Sequence, residues 1–160
     1  MSRQDVDDEH GPDSWDGDLP TPPADQVDWT PLLDLLPDID ARRGVSPEPL
    51  PDPTVTEEGV TIINWLGISS SIASSFSWVV QTTLCESGFD WGAFVSSSRG
   101  RLLVERVHSG DPGDMTLEES RMLLLALARQ ERFVDGAIDD AIRSGFISVV
   151  LRRAEVLLGS

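Results

Sequence analysis

The sequence predicts a mainly α-helical protein: a small bundle of about five helices with one short strand or extended segment, following a disordered acidic N-terminal arm. Charge is the first observation behind this. Residues 1–58 hold 16 of the 28 Asp and Glu but only 3 of the 12 basic residues, so that stretch is near −13 while residues 59–160 are near −3. Proline is the second, since ten of the 11 lie before residue 54. Repulsion, broken helices and thin apolar content together disfavour a core there. The third is the recurrence, after residue 70, of apolar residues three and four apart in segments bounded by Ser, Thr, Asp and Gly. The expected division is a disordered arm over 1–26, a Pro-rich segment with one short docking helix over 27–58, and a helical domain over 59–160. What remains after the arm suits one small domain with a single core.

In chain order, Trp29-Thr-Pro-Leu-Leu-Asp-Leu-Leu-Pro comes first. Thr30 can cap, Pro31 fits the first helical position, the leucines gather on one side and Pro37 stops the helix after a turn or two. So brief a helix is marginal unless it docks. Packing on its own domain is favoured over serving as a leucine motif for a partner's groove, because Trp29 and four leucines are costly to leave wet. Residues 41–58 return to linker. Gly59–Leu66 is β-branched and aromatic, which suits the extended segment. Serines 69–71 cap a helix to about Cys85 carrying Ile72, Phe76, Val79, Val80 and Leu84, and Gly88 ends it. Asp90 opens a helix running toward Val107 with Phe94, Leu102 and Val104 as core, despite Gly100. Thr116-Leu-Glu-Glu119 is a capping box, and the helix it opens, to about Gln130, turns apolar nearly all round at Met122–Ala128, which implies burial at the centre of the domain. Phe133 to Ile142 sets Val134, Ala137, Ile138, Ala141 and Ile142 on one face. Gly145 breaks it, and Phe146–Leu158 forms the last helix, with Arg152 and Arg153 opposing the negative end of its dipole.

Several function classes fall away on composition. One cysteine, Cys85, excludes an internal disulfide framework and a cysteine-based zinc cluster. Met1–Pro20 is acidic and lacks an apolar h-region, so no secretory signal is expected, and the Val60–Val80 run is too interrupted for a membrane span. A cytoplasmic protein is the expectation. All 12 basic residues are arginine; that usage with excess Asp suits either a GC-rich genome or a salt-rich cytoplasm. No phosphate-binding Gly loop, paired-histidine zinc motif or nucleophile elbow is present, so no metal, cofactor or catalytic set is assigned.

Phe89-Asp90-Trp91, the run Leu123–Gly136 with its Arg132-Phe133-Val134-Asp135-Gly136 block, Ser144-Gly145 and Val150-Leu151-Arg152-Arg153 resemble, in order and spacing, an uncharacterised prokaryotic domain-of-unknown-function family of small, mostly helical proteins. The resemblance covers roughly residues 59–158. It implies a fold and domain limits and no activity. The chain departs from the family's usual pattern at Asp135, where glutamate is commoner, and in its acidic arm.

The sharpest constellation is Arg129, Glu131, Arg132 and Asp135, since residues three and four apart share a helical face. If the helix continues through it, Asp135 fixes Arg132 while Arg129 faces an anion, a carboxylate- or phosphate-recognising pair. The plainer reading is an ion-pair network pinning two helices, with Gly136 present because backbones approach closely. Phe89-Asp90-Trp91 reads as a cap with a hydrophobic staple to Phe94. His108 with Asp111 and Asp114 could begin a metal or acid–base site, but Gly-Asp-Pro-Gly reads as a turn. Cys85, beside Glu86, is a poor nucleophile. The expected function is a non-enzymatic protein-interaction or regulatory module whose acidic arm engages a basic partner surface. The rival is a small anion-binding domain or enzyme using Arg129, Arg132 and Asp135. Direct nucleic-acid binding is disfavoured by the net charge and by the apolar last helix.

Overall fold

The computed structural model describes residues 22–46, 54–59, 61–62, 70–84 and 90–159. Most of the expected arm, the Gly88 helix stop, the Phe89 staple and Cys85 therefore lie outside the described residues. Folding begins earlier than expected. A 3-10 turn at Ala24–Gln26 buries Ala24, and the largely buried Arg121 donates through Nη1 to the Pro22 carbonyl at 2.6 Å. Residues 22–26, expected within the disordered arm, are thus seated on the main domain.

Helices α1 (Thr30–Leu33) and α2 (Leu36–Ala41) follow. Thr30 is the first helical residue rather than the cap: Asp28 Oδ1 accepts from its amide at 3.0 Å, and the Thr30 side chain first, then this amide, hold the Asp28 carboxyl below its usual range. Pro37 starts α2 instead of stopping α1, which the missing proline amide allows at a first turn. Trp29, Leu32, Leu36 and Ile39 are buried in the same core as the later helices, so the leucine segment docks on its own domain.

A two-stranded antiparallel pair joins β1 (Thr54–Val55) to β2 (Thr61–Ile62), in the register Thr54 to Ile62 and Val55 to Thr61. Helix α3 (Ser71–Thr83) is capped by Ser70, whose hydroxyl accepts from the Ala73 amide and donates to Asp139. It buries Ile72, Phe76, Val80 and the Leu84 that follows it.

The single helix expected over 90–107 is two, α4 (Trp91–Ser96) and α5 (Ser98–His108). Asp90 caps the first through the Ala93 amide at 2.9 Å, and Ser97, with ψ 156°, caps the second through the Gly100 amide at 2.9 Å. The break resets the helical phase, so α5 buries Gly100, Leu103 and Val107 while the expected core residue Leu102 is exposed.

Helix α6 (Leu117–Gln130) is central. It packs against the Ala24 turn, α3, α4, α7 (Ala137–Ser144) and α8 (Phe146–Leu158), and every residue from Leu123 to Ala128 is buried. Its capping box is complete: Thr116 Oγ1 accepts from the Glu119 amide, and Glu119 Oε2 accepts from the Thr116 amide at 2.8 Å. Thr116→Ala should cost about 1 kcal/mol, read as a lower denaturant midpoint at unchanged slope. Gly145 joins α7 to α8 at φ +83°, the left-handed geometry expected of a helix break. Arg152 and Arg153 lie a turn short of the α8 C-terminus. Arg152 instead pairs with Asp40 of α2, and Arg153 Nε donates to the Met115 carbonyl at 2.8 Å.

Candidate functional site

The helix does not continue through the arginine cluster. α6 stops at Gln130, and the amides of Phe133 and Val134 both fold back to the Gln130 carbonyl at 2.9 Å. Gly136 then turns left-handed at φ +85° with open space where a Cβ would stand. Its conformation therefore accounts for the glycine, not a close backbone approach. Gly136 has no side chain to cap α7, and Glu131 does so from upstream: Oε1 accepts from the Gly136 amide at 3.0 Å and Oε2 from the Ile138 amide at 2.7 Å. A carboxylate on these amides also complements the positive end of the helix.

This turn decides the fate of the predicted site. Arg132 is exposed and Asp135 is exposed, and the ion pairs of the described residues do not include one between them, because 132 and 135 no longer share a helical face. Arg132 Nη2 reaches Gln81 Oε1 of α3 at 3.4 Å instead. Arg129 remains on α6, half-buried. Asp135→Asn is accordingly a surface change, expected to move stability by less than about 0.5 kcal/mol in a chemical melt.

Beside the turn a shallow groove of about 310 Å³ runs along α3, lined by Ala73, Ser74, Ser77, Trp78 and Gln81, with Glu131 and Ile138 on the far side. None of Arg129, Arg132 and Asp135 lines it. Trp78 of this lining is 68% exposed, and on the turn that carries Glu131 the side chains of Phe133 and Val134 are 76% and 51% exposed. The Phe133 ring is held by stacking on Trp91 of α4, with centroids 6.4 Å apart and an interplanar angle of 24°. Val134 was expected on the core face of a helix from Phe133. The left-handed Gly136 starts that helix only at Ala137 and leaves Phe133 and Val134 on the outer turn. Trp78 has a visible signal in the sequence, since it falls off the face that Ile72, Phe76 and Val80 define.

His108 is exposed and its ring lies 5.0 Å from that of Phe146. Its two acidic neighbours are engaged elsewhere. Asp111 Oδ1 accepts from the Gly113 amide at 2.9 Å, an Asx turn, and Asp114 pairs with Arg99 at 3.2 Å and Arg106 at 2.9 Å. Among the described residues no group of three or more His, Cys, Asp and Glu could hold a metal ion.

The strongest electrostatic arrangement joins α5 to the capping box of α6. Arg99 holds Glu119 bidentately, Nε to Oε1 at 2.6 Å and Nη2 to Oε2 at 3.0 Å. The Arg99 guanidinium, helped by the Thr116 amide and opposed by desolvation, keeps the Glu119 carboxyl below its usual range. Arg99 likewise lowers Asp114, and its own proton is held more tightly than usual. Carboxylates whose folded values are depressed contribute stability that is complete above the ordinary carboxylate range and is lost as pH falls through the folded value. The melting temperature should therefore fall below roughly pH 4.5. Arg99→Ala should flatten that fall, and an unchanged acid profile in the variant would count against the assignment.

The family of unknown function DUF6508 matches residues 24–160. The chain belongs to it. No curated protein and no solved structure matches the chain. The DUF6508 match opens at Ala24, where the buried core of the described residues also opens. Within this member, Trp91 of the Phe89-Asp90-Trp91 segment and Phe133 of the Arg132–Gly136 block stack on one another. Among the described residues no helix is long and apolar enough to cross a membrane.

Proposed function

We propose that this DUF6508 protein is a non-enzymatic protein-interaction or regulatory module, cytoplasmic, whose acidic arm engages a basic surface of a partner protein. The observation that carries the reading is the exposure of large apolar side chains, Trp78 on the lining of the α3 groove and Phe133 and Val134 on the turn that supplies its Glu131. Large apolar side chains clustered in water mark interaction surfaces more often than reaction sites. The charge supports it. A net −16, with about −13 of it in residues 1–58, attracts cationic protein surfaces and repels nucleic-acid phosphate.

The test sets a cationic protein probe against small anions. The full-length chain is titrated with poly-lysine and, separately, with inorganic phosphate and a panel of phosphate- and carboxylate-bearing metabolites in a thermal-shift format. Salt-sensitive binding of the polycation, weakened when the carboxylates of residues 1–58 are neutralised, is the expected result. Stabilisation by an anionic ligand that vanishes in Arg129→Ala with folding intact would move the protein to the anion-binding class.

A further inference from the structure

Resting on that reading, we infer that residues 22–27 are a strap latched onto α6 by Arg121, which a cationic partner drawn to the acidic arm lifts away. The latch is a buried charge. Arg121 is 8% exposed. Its Nη1 donates to the Pro22 carbonyl at 2.6 Å, Nη2 pairs with Glu118 Oε1 at 3.0 Å, and the buried Nε has no hydrogen-bond partner. Packing alone asks for an apolar side chain here, since a buried guanidinium set on a neutral carbonyl and short of one acceptor is costly.

The charge makes the seat conditional. When the strap lifts, water reaches Arg121 and supplies acceptors for Nε and Nη1, while Glu118, whose side chain is 46% exposed, keeps its pair. The open state is thereby left without an uncompensated ion. In the seated state the Nη1 bond to the Pro22 carbonyl is charge-assisted and short, so it is the main polar hold on the strap.

Little else holds it. Among the described residues the strap's backbone reaches the rest of the chain at two carbonyls, Pro22 to Arg121 and Ala24 to the Trp29 indole at 2.8 Å, and the Gln26 amide turns back within the strap to Pro23. Its buried side chains are the small Ala24 and Val27, whereas Pro23, Asp25 and Gln26 are exposed. A segment with few apolar contacts and few bonds to its domain opens well below global unfolding. The first large core side chain is Trp29. Asp28 secures the boundary before it by accepting from the Thr30 amide, so α1 starts without the strap.

The sequence supplies the lever. Residues 1–28 hold nine Asp and Glu against one arginine, and the last two of these acids, Asp25 and Asp28, belong to the strap and its hinge. Burial of Ala24 and Val27 fixes both carboxylates against the domain. An unseated chain can lay all nine along a basic surface. Such a partner therefore binds the open strap more tightly and shifts the balance toward it.

The experiment uses the full chain with Cys85→Ser and one introduced thiol, labelled with the neutral reagent iodoacetamide. Ala24→Cys reports the strap, and Ala154→Cys, at 0% exposure in α8, reports global unfolding. Gln26→Cys, exposed on the strap, corrects for reagent and thiolate. Without denaturant the thiol at position 24 should label at least about 100-fold faster than that at 154, equivalent to ~2.8 kcal/mol. Its rate should hardly change in low urea, because a small opening exposes little surface. Arg121→Met should raise the rate at position 24 about tenfold, whereas Ile147→Val, a change in the buried face of α8, should leave it unchanged while lowering global stability. Poly-lysine at low salt should raise it about tenfold relative to position 26, and high salt should abolish the effect. Val27→Cys, at the second buried strap position, should repeat all of these results.

One rate and one urea dependence for positions 24, 27 and 154 would overturn the strap, since the segment would then open only with the whole fold. A rate that Arg121→Met leaves unchanged or lowers would remove Arg121 as the latch. Poly-lysine that binds yet leaves positions 24 and 27 at their free rates would overturn the release and leave the basic-partner reading standing. Absence of poly-lysine binding at low salt would remove both.

Discussion

Trp29→Ala should cost about 3–5 kcal/mol of folding stability, the range for removing a fully packed large aromatic. Trp29 is 2% exposed. Its indole Nε1 donates to the Ala24 carbonyl at 2.8 Å, so truncation opens a cavity and also strips a buried acceptor of its donor. The loss extends beyond the side chain. Helices α1 and α2 have four and six residues, far below the length at which a helix stands alone in water, and they persist only because Trp29, Leu32, Leu36 and Ile39 share the core. At about 2–4 °C per kcal/mol for a chain of this size, the melting temperature should drop by roughly 6–20 °C. A drop under about 4 °C would mean that residues 24–41 are an appendage and that the helices from α3 onward fold without them. The same contacts set where the arm can be cut: removal of residues 1–21 spares them, whereas removal of 1–26 takes away Ala24 and the Pro22 carbonyl that holds Arg121.

The parts of the fold that were legible in the sequence are those whose signals are local. The Thr116–Glu119 capping box, the Ser70 and Asp90 caps, the Gly145 break and the all-round apolar run of α6 each depend on residues within one or two turns of one another. They stand where periodicity and caps put them. Pro37 is ambiguous in the sequence because proline both stops one helix and starts the next, and only the packing of Leu36 and Ile39 selects the second. Ser97 carries no break signal of its own, because a serine inside a helical pattern is neutral by itself. What makes it a break is the approach of the α4 C-terminus to the first turn of α5.

The candidate site was less legible for the same reason. Arg129, Arg132 and Asp135 share a face only if the helix continues, and the end of α6 at Gln130, with the Phe133 and Val134 amides folded back onto the Gln130 carbonyl, removes that spacing. Val134 looked like core because it continues the apolar phase of α7 upstream, and the chain leaves the helix between it and Ala137. The groove itself joins α3 to the α6–α7 turn, segments about 50 residues apart, so no short window of sequence contains it. Glu131 was within the cluster that was singled out, but its capping of Gly136 and Ile138 follows only once the turn is known.

Two glycines in adjacent helices should respond to the same substitution with opposite signs. Helix propensity alone favours alanine over glycine by about 1 kcal/mol. Gly92, in α4, leaves room for that gain, since an added Cβ would meet only Asp90 Oδ1 at 3.5 Å. Gly100, in the first turn of α5, does not. An added Cβ would lie 2.1 Å from the Phe94 carbonyl oxygen and 3.0 Å from its carbon, and these are backbone atoms of the helix before, which cannot rotate aside as a side chain would. The break at Ser97 folds α4 back against α5 at this point, and glycine is what lets the two backbones meet. Gly100→Ala should therefore destabilise by about 1–3 kcal/mol, as overpacking does in a closed site, while Gly92→Ala should be neutral or stabilise by up to about 1 kcal/mol. Paired denaturation midpoints at unchanged slope would read the difference directly. A Gly100→Ala protein more stable than the wild type would mean that α4 and α5 run together as the single helix first expected from the sequence.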